Sequence, residues 1–86
     1  RLGGDEFFVV CPNTDKEGGL HLGELIRKTV SELHVPTGDG AWHGSISVGL
    51  ATRSADMENS EDFIKVADEG VYVAKHDGKN CVRTTN

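Results

Sequence analysis

Two adjacent carboxylates near the start of the chain have the residue type and setting of a divalent-cation site. Asp5 and Glu6 follow the pair Gly3-Gly4 and directly precede the apolar run Phe7–Cys11. A tight turn before a buried strand would hold the carboxylates in place, and Mg²⁺ takes one or two carboxylates and completes its shell with water and substrate phosphates. The glycines would let backbone N–H groups approach those phosphates. The pattern predicts a site where a metal ion and a phosphate-bearing ligand meet.

The same residues also have a simpler interpretation. Two glycines suit the positive φ angles of a turn, and two acidic residues beside them are ordinary solvated turn residues. A Gly-Gly hairpin needs a strand on each side, yet only Arg1 and Leu2 precede the glycines here. Short motifs often match by chance, so both interpretations stay open on these residues alone.

Composition excludes several classes of protein. The 86 residues carry a net charge of −5, which argues against nucleic-acid binding because that function needs a basic patch. No apolar run approaches 18 residues, so we expect no membrane-spanning segment and no direct membrane contact. Cys11 and Cys81 lie far apart and lack the short spacing of a zinc or redox site. We therefore expect reduced, packed thiols in a cytoplasmic protein.

The first half of the chain predicts a strand followed by a helix. Phe7–Cys11 is a short continuous apolar run, which is typical of a strand covered on both faces. The turn residues after it offer Thr14 or Asp15 as a helix N-cap, and Pro36 is expected to stop the helix. Between them, side chains recur at helical spacing: Leu22, Leu25, Ile26, Thr29, Val30 and Leu33.

The second half predicts a strand, a longer helix and a closing strand. Residues 45–51 alternate larger apolar with small side chains, and Ser60 is the expected N-cap of a helix that Gly78 ends. Cys81–Thr84 is the closing strand. One stripe of the helix is apolar or small: Phe63, Val66, Ala67, Gly70, Val71 and Ala74. Such alternation of strands and helices indicates an α/β or α+β sheet with helices packed on it.

Three segments resemble, in order and spacing, the GGDEF family of diguanylate cyclases. They are RLGGDEF at 1–7, SISVGLA at 45–51 and ADEGVYVAKHDGKN at 67–80. The resemblance implies an α+β fold, the ferredoxin-like or palm-like nucleotidyl cyclase fold, with a central, mainly antiparallel sheet and flanking helices. In that fold the motif lies on a hairpin between two central strands. We therefore expect residues 1–86 to be the C-terminal part of one GGDEF domain, with the partner strand upstream of Arg1.

The resemblance also implies an activity. Family members condense two GTP molecules into cyclic di-GMP, a bacterial second messenger, and release pyrophosphate; each protomer of a homodimer presents one GTP, and the metal is Mg²⁺ (or Mn²⁺). A sensory or receiver domain is expected upstream. The first metal-binding Asp, the guanine-recognising residues and the inhibitory site are expected upstream too, so this segment alone is expected to be inactive. The alternatives are a non-catalytic GGDEF module that binds GTP or cyclic di-GMP, and a protein-interaction platform.

The resemblance assigns roles to the acidic motif by position. Asp5 matches the motif residue that coordinates Mg²⁺ and is implicated in activating the attacking 3′-hydroxyl. Glu6 is the next acid, which the family requires for activity, and we expect it to be a catalytic and metal-binding residue as well. Gly3 and Gly4 match the glycines that lie against the nucleotide.

Lys75 and Lys79 match the basic residues near the end of the last helix that contact GTP phosphates in the family. The alternative is that they only stabilise a helix C-terminus, where cations are favourable by themselves. Lys79 replaces the commoner Arg, so a bidentate phosphate contact would become a point-charge contact. Gly70 also departs from the family, which usually has Ala there, and is expected to loosen the helix by about 1 kcal/mol.

Overall fold

The computed structural model of the chain describes residues 6–42 and 44–86. Within these residues it is a small α+β structure, as expected, with helices and short strands. The elements in chain order are α1 (Lys16–Ser31), β1 (Val35–Pro36), β2 (Ala41–Trp42), β3 (Val48–Leu50), α2 (Ser60–His76) and β4 (Val82–Thr84).

Helix α1 begins where the sequence predicted and ends earlier. Asp15 is the N-cap, and its carboxylate accepts a hydrogen bond of 2.8 Å from the Gly18 N–H. The helix ends at Ser31, with Glu32 as the C-cap, so the prediction that Pro36 stops it is wrong. Pro36 lies in β1 instead, because proline disfavours helical conformation at the residue before it and leaves the chain extended there.

A short hairpin follows α1 in a region for which no strand was predicted. Strands β1 and β2 are antiparallel, with Val35 opposite Trp42. The Thr37 N–H donates to the Gly40 carbonyl at 2.9 Å, and Gly38 adopts a φ of 60°. Strands of two residues are too short to show an alternating pattern, so no periodicity predicts them.

Strands β3 and β4 pair in parallel, with Val48 opposite Val82 and Leu50 opposite Thr84. Both lie inside the predicted strands, and this parallel pair is compatible with the expected α+β fold. The pair is parallel because α2 connects the two strands and returns the chain to the starting end, as in a strand–helix–strand crossover. Beyond the strands, the Asn86 side chain continues the pairing by exchanging hydrogen bonds of 3.1 and 2.8 Å with the Thr52 backbone.

The helices cover opposite faces of this strand pair. On one face, glycines of α1 lie against apolar side chains: a Cβ on Gly19 would be 3.0 Å from Leu50 Cδ1, and one on Gly23 would be 3.1 Å from Val82 Cγ1. Because side chains alternate along a strand, Gly49 between Val48 and Leu50 faces the other side, where α2 packs. The short strands are therefore enclosed between the helices.

Helix α2 presents the predicted stripe to the strands. Ala74 is fully buried and Gly70 is buried, while the other stripe residues are half-buried. The N-cap is Asn59 rather than Ser60, because the Asn59 side chain accepts a hydrogen bond of 3.0 Å from the Asp62 N–H. Among the described helices, none is long and apolar enough to cross a membrane.

The predicted strand Phe7–Cys11 is absent: residues 6–11 have no regular secondary structure. A strand needs a hydrogen-bonded neighbour, and no segment of the described residues pairs with this one. The expected burial is also wrong, since Phe7 is 76% exposed and Val9 and Val10 are each 64% exposed. The segment is an apolar run without a covering element in the part of the chain that the structure describes.

Candidate functional site

The predicted metal site falls mostly outside the described residues. Gly3, Gly4 and Asp5 lie there, so their predicted roles stay predictions. Glu6 is described, and it is exposed in the irregular segment before the apolar run. Its carboxylate is the kind of oxygen ligand that Mg²⁺ prefers, so the donor chemistry of this position fits the metal. No cluster of three or more metal-ligating side chains occurs elsewhere in residues 6–42 and 44–86.

Lys75 and Lys79 lie on either side of the end of α2. Lys75 is exposed in the last turn, and Lys79 is exposed beyond the Asp77 cap. Gly78 has a φ of 105° and Lys79 donates its N–H to the Ala74 carbonyl at 2.9 Å, which closes the helix in the manner of a Schellman motif. The predicted break at Gly78 is confirmed, so helical i, i+4 spacing does not relate the two lysines.

The loop after α2 has an unusual backbone. Gly78, Lys79 and Asn80 all have positive φ, with values of 105°, 65° and 47°. Glycine adopts this region freely and asparagine tolerates it, whereas lysine rarely does. We call residues 77–80 the lysine loop, because it carries Lys79.

Two arginines from different elements anchor the lysine loop. Arg83 of β4 donates from Nε to Asp77 Oδ2 at 2.7 Å, and this bond raises the pKa of the Arg83 guanidinium. Arg27 of α1 donates from Nη1 to Asn80 Oδ1 at 2.9 Å. Lys79 therefore lies between two residues whose side chains are held by guanidinium groups.

Arg27 is itself held by a neighbour one helical turn away. Its Nε is 3.0 Å from both carboxylate oxygens of Glu24, and its Nη2 bonds to the same carboxylate. The hydrogen bond with Arg27 lowers the pKa of Glu24 below its ordinary value, and the same bond raises the pKa of Arg27. Arg27 was not among the predicted site residues; the available signal was an acid and an arginine at i, i+3 on a helix.

A surface groove lies at the opposite end of the strand pair from the lysine loop. The loop precedes β4, whereas the groove lies at the carboxyl ends of β3 and β4, where Thr52 and Asn86 line it. Its charged side chains are of both signs: Lys16, Arg53, Lys65, Asp56, Asp62 and Glu69. The groove and the predicted phosphate contacts are therefore separate features.

The model of one protein family matches this chain over nearly its whole length. The family model "Diguanylate cyclase, GGDEF domain" matches residues 1–81, a range that includes the acidic motif and both lysines. The chain belongs to the GGDEF family.

Proteins similar to this GGDEF chain are named as diguanylate cyclases or as a regulator. Diguanylate cyclase A of Treponema denticola is 32% identical over 82 residues, and the response regulator PleD of Caulobacter vibrioides is 38% identical over 84. Diguanylate cyclase DgcM of Escherichia coli is 33% identical over 82. Each alignment covers 95% of this chain but only 22%, 18% and 19% of the respective relative. The chain thus spans about a fifth of the length of these relatives.

Proposed function

We propose that this GGDEF chain is the C-terminal part of a diguanylate cyclase domain, which condenses two GTP molecules into cyclic di-GMP and pyrophosphate. The observation that carries the proposal is the family match over residues 1–81 together with an unbroken Gly3-Gly4-Asp5-Glu6-Phe7 motif. The names of the similar proteins support the same reaction. The domain would adopt the nucleotidyl cyclase fold, and the exposed run Phe7–Val10 would pair there with a strand that precedes residue 1.

The acidic pair supplies the chemistry in this proposal. Asp5 and Glu6 would hold Mg²⁺ or Mn²⁺ together with a further acid from the upstream half of the domain, and Gly3 and Gly4 would let the backbone lie against the nucleotide. A metal ion held there would lower the pKa of the attacking 3′-hydroxyl and would neutralise charge on the departing pyrophosphate. These residues thereby fix the α-phosphate of one GTP within reach of the hydroxyl of the other.

The lysines contribute charge at the phosphates. Lys75 and Lys79 are exposed and follow each other across the end of α2, so each is available to an anionic ligand. Each GTP is bound by one protomer of a homodimer and faces the other, which brings the two nucleotides together. A receiver or sensory domain upstream would control that pairing; the relative PleD is named as a response regulator.

Turnover of GTP tests the proposal directly. The intact protein, incubated with GTP and Mg²⁺, should yield cyclic di-GMP and pyrophosphate, which chromatography separates. Residues 1–86 alone should yield neither, because in this proposal the further metal ligand and the base pocket belong to the upstream half of the domain. Binding of GTP without turnover by the intact protein would favour a non-catalytic nucleotide-binding module instead. Sustained turnover by residues 1–86 would contradict the assignment of missing site residues to the upstream half.

A further inference from the structure

The lysine loop has a backbone that its own sequence does not favour. Lys79 and Asn80 adopt φ values of 65° and 47° in succession, directly after the helix-ending glycine. Two consecutive non-glycine residues in the left-handed region are costly, so the surroundings must hold them in place. One such restraint acts on Asn80, the residue after Lys79: its Oδ1 accepts a hydrogen bond from Arg27 Nη1.

Arg27 is suited to impose that restraint. The bond joins residues 53 positions apart, so it ties α1 to the segment that follows α2. Glu24 engages the Nε edge of the guanidinium, which fixes the plane of the group and aims Nη1 at Asn80 Oδ1. The Arg27 side chain is only 18% exposed, so solvent competes weakly for this donor.

The geometry points to Arg27 as a positioning residue for phosphate binding: through Asn80 it holds the lysine loop in the conformation that presents Lys79 to a nucleotide phosphate. This inference rests on the proposed function, in which Lys79 contacts GTP. Arg27 itself donates its hydrogen bonds to Glu24 and Asn80, and the inference assigns it no contact with the ligand. Its effect on binding therefore passes through Lys79.

Epistasis in GTP binding tests the inference in the intact protein. The probe is a GTP analogue that cannot be cleaved between its α- and β-phosphates, titrated calorimetrically with Mg²⁺ present. Arg27→Ala should raise the dissociation constant about tenfold, because Lys79 would no longer be held at the phosphate, and Lys79→Ala should do so at least as much. The double variant should bind no more weakly than Lys79→Ala alone. In turnover, Arg27→Ala should raise KM and leave kcat nearly unchanged.

Two further variants complete the test. Lys28→Ala removes a neighbouring exposed cation of α1 and should leave affinity unchanged. Asn80→Gly removes the acceptor while glycine readily adopts the same φ, so it should fold and weaken binding as Arg27→Ala does. If Arg27→Ala fails to fold, Asn80→Gly alone tests the inference.

The outcomes distinguish failure of this inference from failure of the proposed function on which it rests. If Lys79→Ala weakens binding and Arg27→Ala and Asn80→Gly do not, Arg27 has no positioning role but the proposed function stands. Additive losses in the double variant would show that Arg27 acts independently of Lys79 and would overturn the inference. An unchanged affinity in Lys79→Ala would remove the assigned role of Lys79, and the inference with it.

Discussion

Gly49 of β3 and Gly70 of α2 bring two backbones into direct contact. A Cβ built on Gly70 would lie 3.0 Å from the Gly49 Cα and 2.6 Å from the Arg83 carbonyl oxygen. A Cβ on Gly49 would clash with the Ala67 carbonyl oxygen. Because these neighbours are backbone atoms, no side-chain rotation makes room for a methyl group. The expectation that Gly70 merely loosens the helix is therefore incomplete: the glycine also permits the close packing of α2 on the strands.

Gly70→Ala should destabilise the intact protein even though alanine has the higher helix propensity. The propensity gain of about 1 kcal/mol is outweighed by overpacking, which typically costs about 1–3 kcal/mol. Denaturant unfolding measures the difference. Gly40→Ala is the matched control, because a Cβ there meets no atom within 4 Å and should leave the free energy of unfolding nearly unchanged. Equal stability of Gly70→Ala and the parent would show that α2 does not pack as closely as described.

The N-cap of α2 should make a measurable contribution to the free energy of unfolding. Asn59→Ala removes the side-chain acceptor for the Asp62 N–H and should lower the free energy of unfolding by about 1 kcal/mol. Ser60→Ala, one residue along, removes the hydroxyl of the residue that the sequence suggested as the cap and should cost much less. Thermal or denaturant unfolding of the two variants decides between them. A larger loss for Ser60→Ala would assign the cap to Ser60 after all.

Residues 1–86 in isolation should self-associate or aggregate. The exposed run Phe7–Val10 offers apolar side chains and unpaired backbone groups to a second chain. Light scattering over a concentration series should show growth in mass, and the double variant Val9→Thr, Val10→Thr should reduce it. Leu25→Gln, at another exposed apolar position, should reduce it less. A well-dispersed monomer that unfolds cooperatively would show that these residues complete their own core.

Lys75→Ala in the intact protein should weaken GTP binding while leaving the fold intact. The side chain is exposed in the last turn of α2, so its removal opens no cavity. Lys65→Ala removes an exposed cation from the same helix, at the groove beyond the carboxyl ends of the strands, and is the matched control. We expect roughly a tenfold higher dissociation constant for Lys75→Ala and no change for Lys65→Ala. Equal affinities would leave Lys75 with only a helix-end role.

Local chemistry made part of this fold predictable. Asp15 was a foreseeable cap because an acid preceded a helical pattern, and the α2 stripe was foreseeable because its spacing is helical over many residues. The parallel pairing of β3 and β4 was not predicted, although a helix that connects two strands of one sheet favours it. The tertiary role of Gly70 was also hidden, because only the packed structure reveals which backbone lies opposite it.

The residues of the candidate site were likewise predictable only in part. Lys75 and Lys79 were identified by resemblance, and the break between them followed from Gly78. Arg27 was not identified, because its partner Asn80 lies 53 positions away and no sequence period connects the two. Long-range hydrogen bonds of this kind appear only once α1 and the lysine loop are placed on the same strand pair.

The cyclase rate of Asp5→Asn in the intact protein tests the central claim most directly. The substitution keeps the size of the side chain and removes a negatively charged metal ligand, so the protein should fold while the rate of cyclic di-GMP formation falls by orders of magnitude. Asp39→Asn, an exposed carboxylate in the β1–β2 turn, should keep the parental rate. A folded Asp5→Asn protein that forms cyclic di-GMP at a near-parental rate would contradict the proposed function of the acidic motif.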